Sequence, residues 1–559
     1  MSKQNVEAIK LQSQGLRGPL DEELRNSDSF LTEAAKQISK FHGIYQQHDR
    51  DDRKQEIKQW SFMIRTRIPG GQLTGQQYLA LDALASEYAN DTLRVTTRQT
   101  IQFHGVIKTD LKNTLRRINH ALLTTLGACG DIVRNVVACP APTTDPQRLA
   151  VQGFANLLSA ALTPQTRAYH QIWLNDEPMV REDPVDEPLY GRTFLPRKFK
   201  IAIAFPGDNC VDVFTNDVGL VALFDGQNRL EGFNVLVGGG MGLTHNNEET
   251  FARLADVVGF VKPEQVIEAV SAIVTIHRDY GDRTNRKHAR LKYILHDWGV
   301  ERFIQVLQER LSFEMQPARP MPEFQIHDHL GWHEQGDGKY YLGLPIENGR
   351  IADRGGVWLR TGLREIIHRY HSPVRLTAQQ NLILVDIHPE QRAAIEALLT
   401  DHHIQAVEQF SGARRYGIAC PALPTCGLAI TEAERALPGV LDELEMVLAE
   451  LGLLDDPISI RMTGCPNGCA RPYVAEIAFV GRSLEKYKLY LGGNLVGTRL
   501  AEPFLDLVHI NALVPTLRPL LTYYRDYRRE GEFFGDFCQR IGFERLHAVY
   551  TGVGETAAD

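Results

Sequence analysis

The chain repeats itself. Leu93-Arg-Val-Thr-Thr-Arg-Gln-Thr-Ile101 recurs as Val374-Arg-Leu-Thr-Ala-Gln-Gln-Asn-Leu382, and Arg134-Asn-Val-Val-Ala-Cys-Pro-Ala141 recurs as Arg415-Tyr-Gly-Ile-Ala-Cys-Pro-Ala422, both at an offset of 281 residues. Phe233-Asn-Val-Leu-Val-Gly-Gly-Gly240 has a looser echo in Lys488-Leu-Tyr-Leu-Gly-Gly-Asn494, at a smaller offset that implies deletions in the second copy. Two related halves, joined near residue 320, must fold into similar units. A pseudo-twofold arrangement of them buries a ligand where they meet, because such interfaces make clefts.

Within each half, short apolar strands and amphipathic helices alternate. Residues 62–68 alternate as a strand, 76–88 carry helical spacing, and 93–95 with 100–106 return to strand; 340–346, 363–370 and 374–387 follow the same order in the second half. This predicts an α+β fold with helices on one face of each sheet. The basic run Arg283-Thr-Asn-Arg-Lys-His-Ala-Arg-Leu-Lys292 is expected to open a helix continuing through Leu295. At 559 residues and 43% hydrophobic, the chain has room for several ordinary cores. A net charge of -8 argues against nucleic acid as a partner. The N-terminus, Met1-Ser-Lys-Gln-Asn-Val-Glu7, lacks an apolar leader, and no run approaches a membrane span, so a cytoplasmic protein is expected.

Four of the eight cysteines fall close together: Cys420 and Cys426 as C-x5-C, then, after 38 residues, Cys465 and Cys469 as C-x3-C. Two short-spaced thiolate pairs suit one iron-sulfur cubane. Zinc takes four thiolates as well, but C-x5-C fits its usual spacing poorly. A disulfide needs an oxidising compartment that nothing here indicates. Buried inert thiols are the bland alternative. Against that, Gly464, Pro466, Asn467 and Gly468 form a turn that aims amides at sulfur. Cys139 stands where Cys420 stands in the second copy but has no counterparts of the other three, so only the second half can hold the cluster.

Thr463-Gly-Cys-Pro-Asn-Gly-Cys469 with Cys420-Pro-Ala-Leu-Pro-Thr-Cys426 resembles the signature of the sulfite and nitrite reductase hemoproteins. Further blocks match along nearly the whole chain: Phe41-His-Gly-Ile-Tyr-Gln-Gln47, Thr97-Arg-Gln-Thr-Ile-Gln-Phe-His-Gly105, Leu195-Pro-Arg-Lys-Phe-Lys200 and Val237-Gly-Gly-Gly-Met-Gly242. The resemblance implies ferredoxin-like half-domains and two siroheme- and cluster-binding α/β domains. It divides the chain into an N-terminal extension (1–55), half-domains at 56–135 and 321–412, and siroheme-binding domains at 136–320 and 413–559. It also implies a 4Fe-4S cluster on the four cysteines, with Cys469 shared with the siroheme iron. Matched by motif, the substrate cations are Arg65, Arg134, Lys198 and Lys200, with arginines binding oxyanion oxygens and lysines delivering protons. From spacing alone Arg65 and Arg67 share a strand face and cannot be told apart, and Lys198 and Lys200 read equally as an exposed sheet edge.

Siroheme has eight carboxylates, which burial requires to be neutralised. The resemblance and the local charge point to Arg94, Arg98, Gln102, His104, Arg197, Arg286 and Lys287, with Asn467 beside the cluster and Gly238, Gly239 and Gly240 allowing backbone approach to a flat ring. No GxGxxG pattern marks a dinucleotide site. Some members of the family carry a Tyr-Cys link, whose partners here are Tyr45 and Cys129; most members lack the bond.

The implied activity is assimilatory reduction of sulfite to sulfide. Nitrite reduction to ammonia is the alternative, and Lys200 discriminates, because plant-type nitrite reductases tend to have asparagine there. A non-catalytic iron-sulfur carrier or sensor would not need so large a duplicated scaffold. No flavin- or nicotinamide-binding motif is recognisable, so electrons are expected to come from another protein. Leu16-Arg-Gly-Pro-Leu-Asp-Glu-Glu-Leu24, Thr125-Leu-Gly-Ala-Cys-Gly-Asp131 and Gly331-Trp-His-Glu-Gln-Gly-Asp-Gly338 resemble the ferredoxin-dependent enzymes, whereas Gly493-Asn-Leu-Val-Gly-Thr-Arg499 resembles the hemoprotein of the NADPH-dependent enzyme. Ferredoxin is the expected donor, with an NADPH flavoprotein subunit the alternative.

Overall fold

The computed structural model describes residues 5–51, 58–174, 187–325 and 327–553. The first four residues and the expected boundary at residue 55 lie outside them. The duplication is written into the backbone as an exchange of strands. One antiparallel sheet runs Ile44–His48, Trp60–Arg65, Ile101–Val106, Leu93–Val95, Arg350–Ile351; another runs Gly331–Glu334, Tyr340–Leu344, Leu382–Ile387, Val374–Leu376, Gln72–Leu73. The last strand of each belongs to the other half: Arg350 and Ile351 pair with Arg94 and Leu93, and Gln72 and Leu73 with Arg375 and Val374. This reciprocal pairing closes one edge of each sheet and welds the halves.

Close backbone approach at the exchange requires glycine. Gly71, at φ +71°, lies where a Cβ would stand 2.4 Å from the Leu376 carbonyl oxygen, and Gly349, at φ +76°, would meet that of Val95 at 2.2 Å. The hairpin turns before Ile101 and Leu382 match likewise. Gln99 and Gln380 both adopt left-handed backbone, and their side-chain amides donate to the carbonyls of Ala138 (2.9 Å) and Ala419 (3.0 Å). Each turn therefore pins the strand leading into Cys139 or Cys420. A continuous strand over 374–387 is accordingly not formed, because the turn at 377–381 splits it into Val374–Leu376 and Leu382–Ile387.

The other two sheets also match each other. Val137–Ala138, Ile201–Ala204 and Val218–Phe224 are parallel neighbours, extended antiparallel by Leu230–Val237 and Asp256–Val261; Gly417–Ala419, Ile460–Thr463, Ile477–Ser483, Lys486–Leu491 and Glu502–His509 repeat the order. Their parallel strands are buried on both faces, as the unbroken Ile201-Ala-Ile-Ala204 requires. Cys420 and Cys465 follow the carboxyl ends of two of these strands, the end where α/β sheets open a crevice. One apolar core runs through the N-terminal helices, both exchanged sheets and much of the first parallel sheet, and a second fills the C-terminal domain.

The helix expected from Arg283 begins only at Leu291 and ends at Trp298. Asp282 Oδ1 accepts from the Thr284 and Asn285 amides at 2.8 and 2.9 Å, and this turn competes with helical hydrogen bonding. Among the described residues no helix is long and apolar enough to cross a membrane.

Candidate metal centre and anion site

The four cysteines are neighbours at the crevice, Cys420 lying close enough to feel the charge of each of the other three. Gly464 N–H donates to Cys420 Sγ at 3.4 Å and Asn467 Nδ2 to Cys469 Sγ at 3.3 Å. The loop is held by Ile430 N–H on the Gly464 carbonyl (2.7 Å) and by Leu243 N–H on that of Pro466 (2.9 Å). Gly464 and Gly481 leave no space for a Cβ, since each would meet backbone oxygen at 2.5 Å. Cys420 and Cys465 are buried, Cys426 half-buried and Cys469 exposed. Burial pushes the Cys420 thiol well up and Cys465 to about 12, with Cys469 adding to both. Four thiolates so crowded need a cationic centre, and the donor set is that of an iron-sulfur cluster. The exposed Cys469 faces the first half, where Thr97 Oγ1 donates to its carbonyl at 3.2 Å.

Lys198 and Lys200 lie near enough to this thiol to feel its charge. Burial first, then Arg197, lowers Lys198 to about 7, while Cys469 opposes the shift. Burial, then Lys198, lowers Lys200 well below the usual lysine range. Both keep partly accessible surface, the combination a deep cleft produces. Arg134 is 8% exposed; its Nε donates to the Gly130 carbonyl (2.8 Å) and it hydrogen-bonds Tyr45. Arg65 donates to Cys129 Sγ at 3.2 Å and, from Nε, to the Gln102 amide oxygen at 3.0 Å. Arg67, indistinguishable from Arg65 in the sequence, is spent on Ser159 Oγ (3.0 Å) and the carbonyls of Ser159 and Val133. Tyr45 and Cys129 thus flank the two arginines, and all eight cysteines are free thiols.

The expected carboxylate partners divide. Arg98 donates to Asn216 Oδ1 (2.6 Å) and the Ile201 carbonyl (2.8 Å) but leaves its buried Nε unpaired, and His104, 2% exposed, leaves both ring nitrogens unpaired. Burial, then Arg350, holds His104 neutral. These orphaned polar atoms, the Arg98 Nε–H donor and the donor and acceptor nitrogens of His104, fit a polar cofactor group. Arg94 departs from expectation: it is 2% exposed and engaged by Glu434 (2.8 Å) and the carbonyls of Asn348 and Ala419, so it ties the halves together. Arg286 binds Asp131 through two bonds at 2.7 and 3.1 Å, Arg197 lies 3.8 Å from the same carboxylate, and Lys287 is exposed on the turn after Asp282. Burial would raise Asp131, but Arg286 and Lys10 outweigh it and keep it ionised.

The glycine run serves packing more than approach to a ring. A Cβ on Gly239 would fall 2.2 Å from the Phe214 carbonyl oxygen, and one on Gly238 2.7 Å from Leu295. The run carries the chain to Gly242, which abuts Asn467. Lys292 clamps it by donating to the carbonyls of Gly240 (3.2 Å) and Gly242 (2.9 Å) and that of Phe251. Sequence reasoning missed Asp131, the buried Asp217–Arg290 pair (2.8 Å) and Arg50, which donates to the carbonyls of Cys426 (2.9 Å) and Ala429 (2.6 Å). Their partners are remote in sequence, and no spacing signals them.

Residues 153–315 and 418–553 match the nitrite and sulphite reductase 4Fe-4S domain, and 55–121 and 333–402 the nitrite/sulfite reductase ferredoxin-like half domain. The chain is 50% identical to a sulfite reductase [ferredoxin] of Synechococcus elongatus, over 97% of this chain and 90% of that protein. It is 49% identical to a sulfite reductase [NADPH] hemoprotein beta-component of Myxococcus xanthus, over 97% of both. The solved structure of Mycobacterium tuberculosis NirA superposes with a TM-score of 0.78 at 25% identity, over 96% of each chain. With its twice-used half-domain and its converging cysteine quartet, this chain belongs to the nitrite and sulphite reductase family.

Proposed function

We propose that this protein is an assimilatory sulfite reductase, taking sulfite to sulfide with siroheme and a 4Fe-4S cluster as cofactors. Cys420, Cys426, Cys465 and Cys469 would hold the cluster, and Cys469, the exposed one, would be the thiolate shared with the siroheme iron. Arg98, His104 and Gln102 would meet the macrocycle's polar rim. Bound in this way, the cofactors would pass six electrons, one after another, from the donor protein to the substrate.

The protein's own residues handle oxygen and protons. The net change, HSO3⁻ + 6 e⁻ + 6 H⁺ → HS⁻ + 3 H2O, removes three oxygens as water, and each needs a cation to hold it and an acid to protonate it. Arg65 and Arg134 stay charged and bind the oxyanion through fixed forks. Lys198, at about 7, is poised to give up a proton near neutrality and regain it from solvent. Lys200 has its backbone N–H on Asp217 (2.8 Å), which fixes its strand against the Arg290 pair. The observation that carries this reading is the pair of lysines, both shifted down, facing the one exposed cysteine of the quartet.

A second lysine beside Lys198, just ahead of Ile201–Ala204, favours a three-oxygen substrate, with more oxygens to protonate, over nitrite. A steady-state comparison of sulfite and nitrite with an artificial reductant tests this, in the native protein and in Lys200→Asn. Sulfite should have the higher kcat/KM in the native protein, and the variant should move toward nitrite; higher native specificity for nitrite refutes the assignment. For the donor we favour ferredoxin, on the sequence blocks above and the Synechococcus relative. Turnover with reduced ferredoxin, set against an NADPH flavoprotein subunit, decides. We assign the protein to the cytoplasm, a reducing compartment that keeps the four cluster cysteines available as thiolates.

A further inference from the structure

The first half holds a cluster of metal-ligating side chains that the reductase chemistry does not use. Cys139, Asp208, Cys210 and His329 are 2%, 1%, 7% and 6% exposed, and their ligand atoms all lie within 4.8 Å of one another. Cys139 Sγ is 3.0 Å from Asp208 Oδ2 and 3.8 Å from His329 Nε2, and His329 Nε2 is 3.1 Å from Asp208 Oδ2. Zinc-to-sulfur bonds of about 2.3 Å and zinc-to-nitrogen or oxygen bonds of about 2.0–2.2 Å at tetrahedral angles place ligand atoms roughly 3.3–3.8 Å apart. The separations of 3.0, 3.1 and 3.8 Å among Cys139, Asp208 and His329 lie within a few tenths of an ångström of that range, so small side-chain movements would admit the ion.

Its position and charge support the same conclusion. Cys139 follows the strand Val137–Ala138 at the place where Cys420 follows Gly417–Ala419, so the cluster occupies the pseudo-twofold mate of the iron-sulfur site. Asp208 and Cys210 come from the turn after Ile201–Ala204, and His329 from the segment joining the halves. The backbone is rigid on both sides. Asp208 Oδ1 accepts the Cys210 N–H at 3.0 Å, and His329 is held in left-handed backbone with its carbonyl packed so closely on Gly343 that a Cβ there would lie 1.9 Å away. The Arg148 guanidinium donates to Cys139 Sγ at 2.8 Å and to Asp208 Oδ2 at 3.3 Å. Two thiolates, one carboxylate and a neutral imidazole carry three negative charges; a divalent cation with Arg148 cancels them, as a buried site requires.

We propose that Cys139, Asp208, Cys210 and His329 bind one structural zinc ion that fastens the inter-half segment to the first half's parallel sheet. The set is closed, with four protein ligands and mixed soft and hard donors suited to zinc. It is independent of the substrate assignment above.

The test is elemental analysis and zinc K-edge absorption on holoenzyme purified without chelators from zinc-supplemented cells. The expected result is close to one zinc per chain, in a shell of two sulfurs at about 2.3 Å and two nitrogen or oxygen atoms at about 2.0–2.2 Å. Cys210→Ser and Asp208→Asn should lower zinc by about tenfold or more while the siroheme Soret band remains. If those variants do not fold, the native shell decides. Absence of zinc, a four-sulfur shell that would place it on the Cys420 quartet, or a Cys139–Cys210 disulfide in mapped peptides each overturns the proposal.

Discussion

Glu434→Gln removes one charge from the seam between the halves. Its carboxylate, 10% exposed, receives Arg94 Nε at 2.8 Å and Arg350 at 2.7 and 3.1 Å, so the amide would leave two guanidinium groups without a counter-ion. Burial raises the Glu434 carboxyl, but Arg94 and then Arg350 overcome it and bring it from 4.5 to about 2. At 1.36 kcal/mol per unit that shift is worth about 3 kcal/mol of native-state stability. Breaking a buried ion pair by removing one partner costs about 3–5 kcal/mol, so the two routes agree. Spread over one cooperative unit the size of the chain, the loss lowers Tm by about 3 °C, and by more if the second half melts alone. The sign follows from a depressed carboxyl: the contribution is full above about pH 4.5 and disappears as pH falls toward about 2. Calorimetry of native protein and variant should therefore show a constant difference from about pH 8 to 6. Because Arg94 also holds the Ala419 carbonyl beside Cys420 at 2.9 Å, iron content should fall with it. Tm values within about half a degree, or a difference that vanishes between pH 8 and 6, would refute the reasoning.

With Lys198 at about 7, kcat should decline as pH rises through that value, because the protonated donor is lost; removing Arg197, the second cause of the shift, with Arg197→Ala should move the falling limb upward, measured as a pH profile of reductant oxidation. Gly239→Ala places a Cβ 2.2 Å from the Phe214 carbonyl oxygen, so the loop to Gly242 and Asn467 must shift; about 1–3 kcal/mol of destabilisation and lower siroheme occupancy should appear in melting curves and Soret absorbance. Cys469→Ala takes the exposed thiol from the quartet and should abolish sulfite turnover while leaving far-ultraviolet dichroism unchanged, checked by assay and spectrum together.

Much of the fold could be read directly. The repeat at 281 residues predicted twin units, and the twofold follows from it, because similar sequences make similar sheets. The reciprocal exchange of Gln72–Leu73 and Arg350–Ile351 was not legible: two-residue strands carry no periodicity, and their pairing is set by a partner hundreds of residues away. At the site, cysteine spacing announced a cluster and the family motif singled out Arg65, whereas spacing alone could not separate it from Arg67, whose contacts with Ser159 and Val133 only folding creates. Arg94 looked like Arg98 in the sequence, and only Glu434, 340 residues on, made it a structural tie.

By itself, then, the sequence determined which chemistry the chain carries: thiolates in short-spaced pairs, lysines at period two, and two copies of one unit. Tertiary structure alone decided which charges remain free to act. A guanidinium or ammonium is the same group at every position, and whether it binds substrate or holds the protein together depends on the carboxylates and carbonyls that folding brings within about 3 Å of it. Those partners lie far along the chain, beyond the reach of any local pattern.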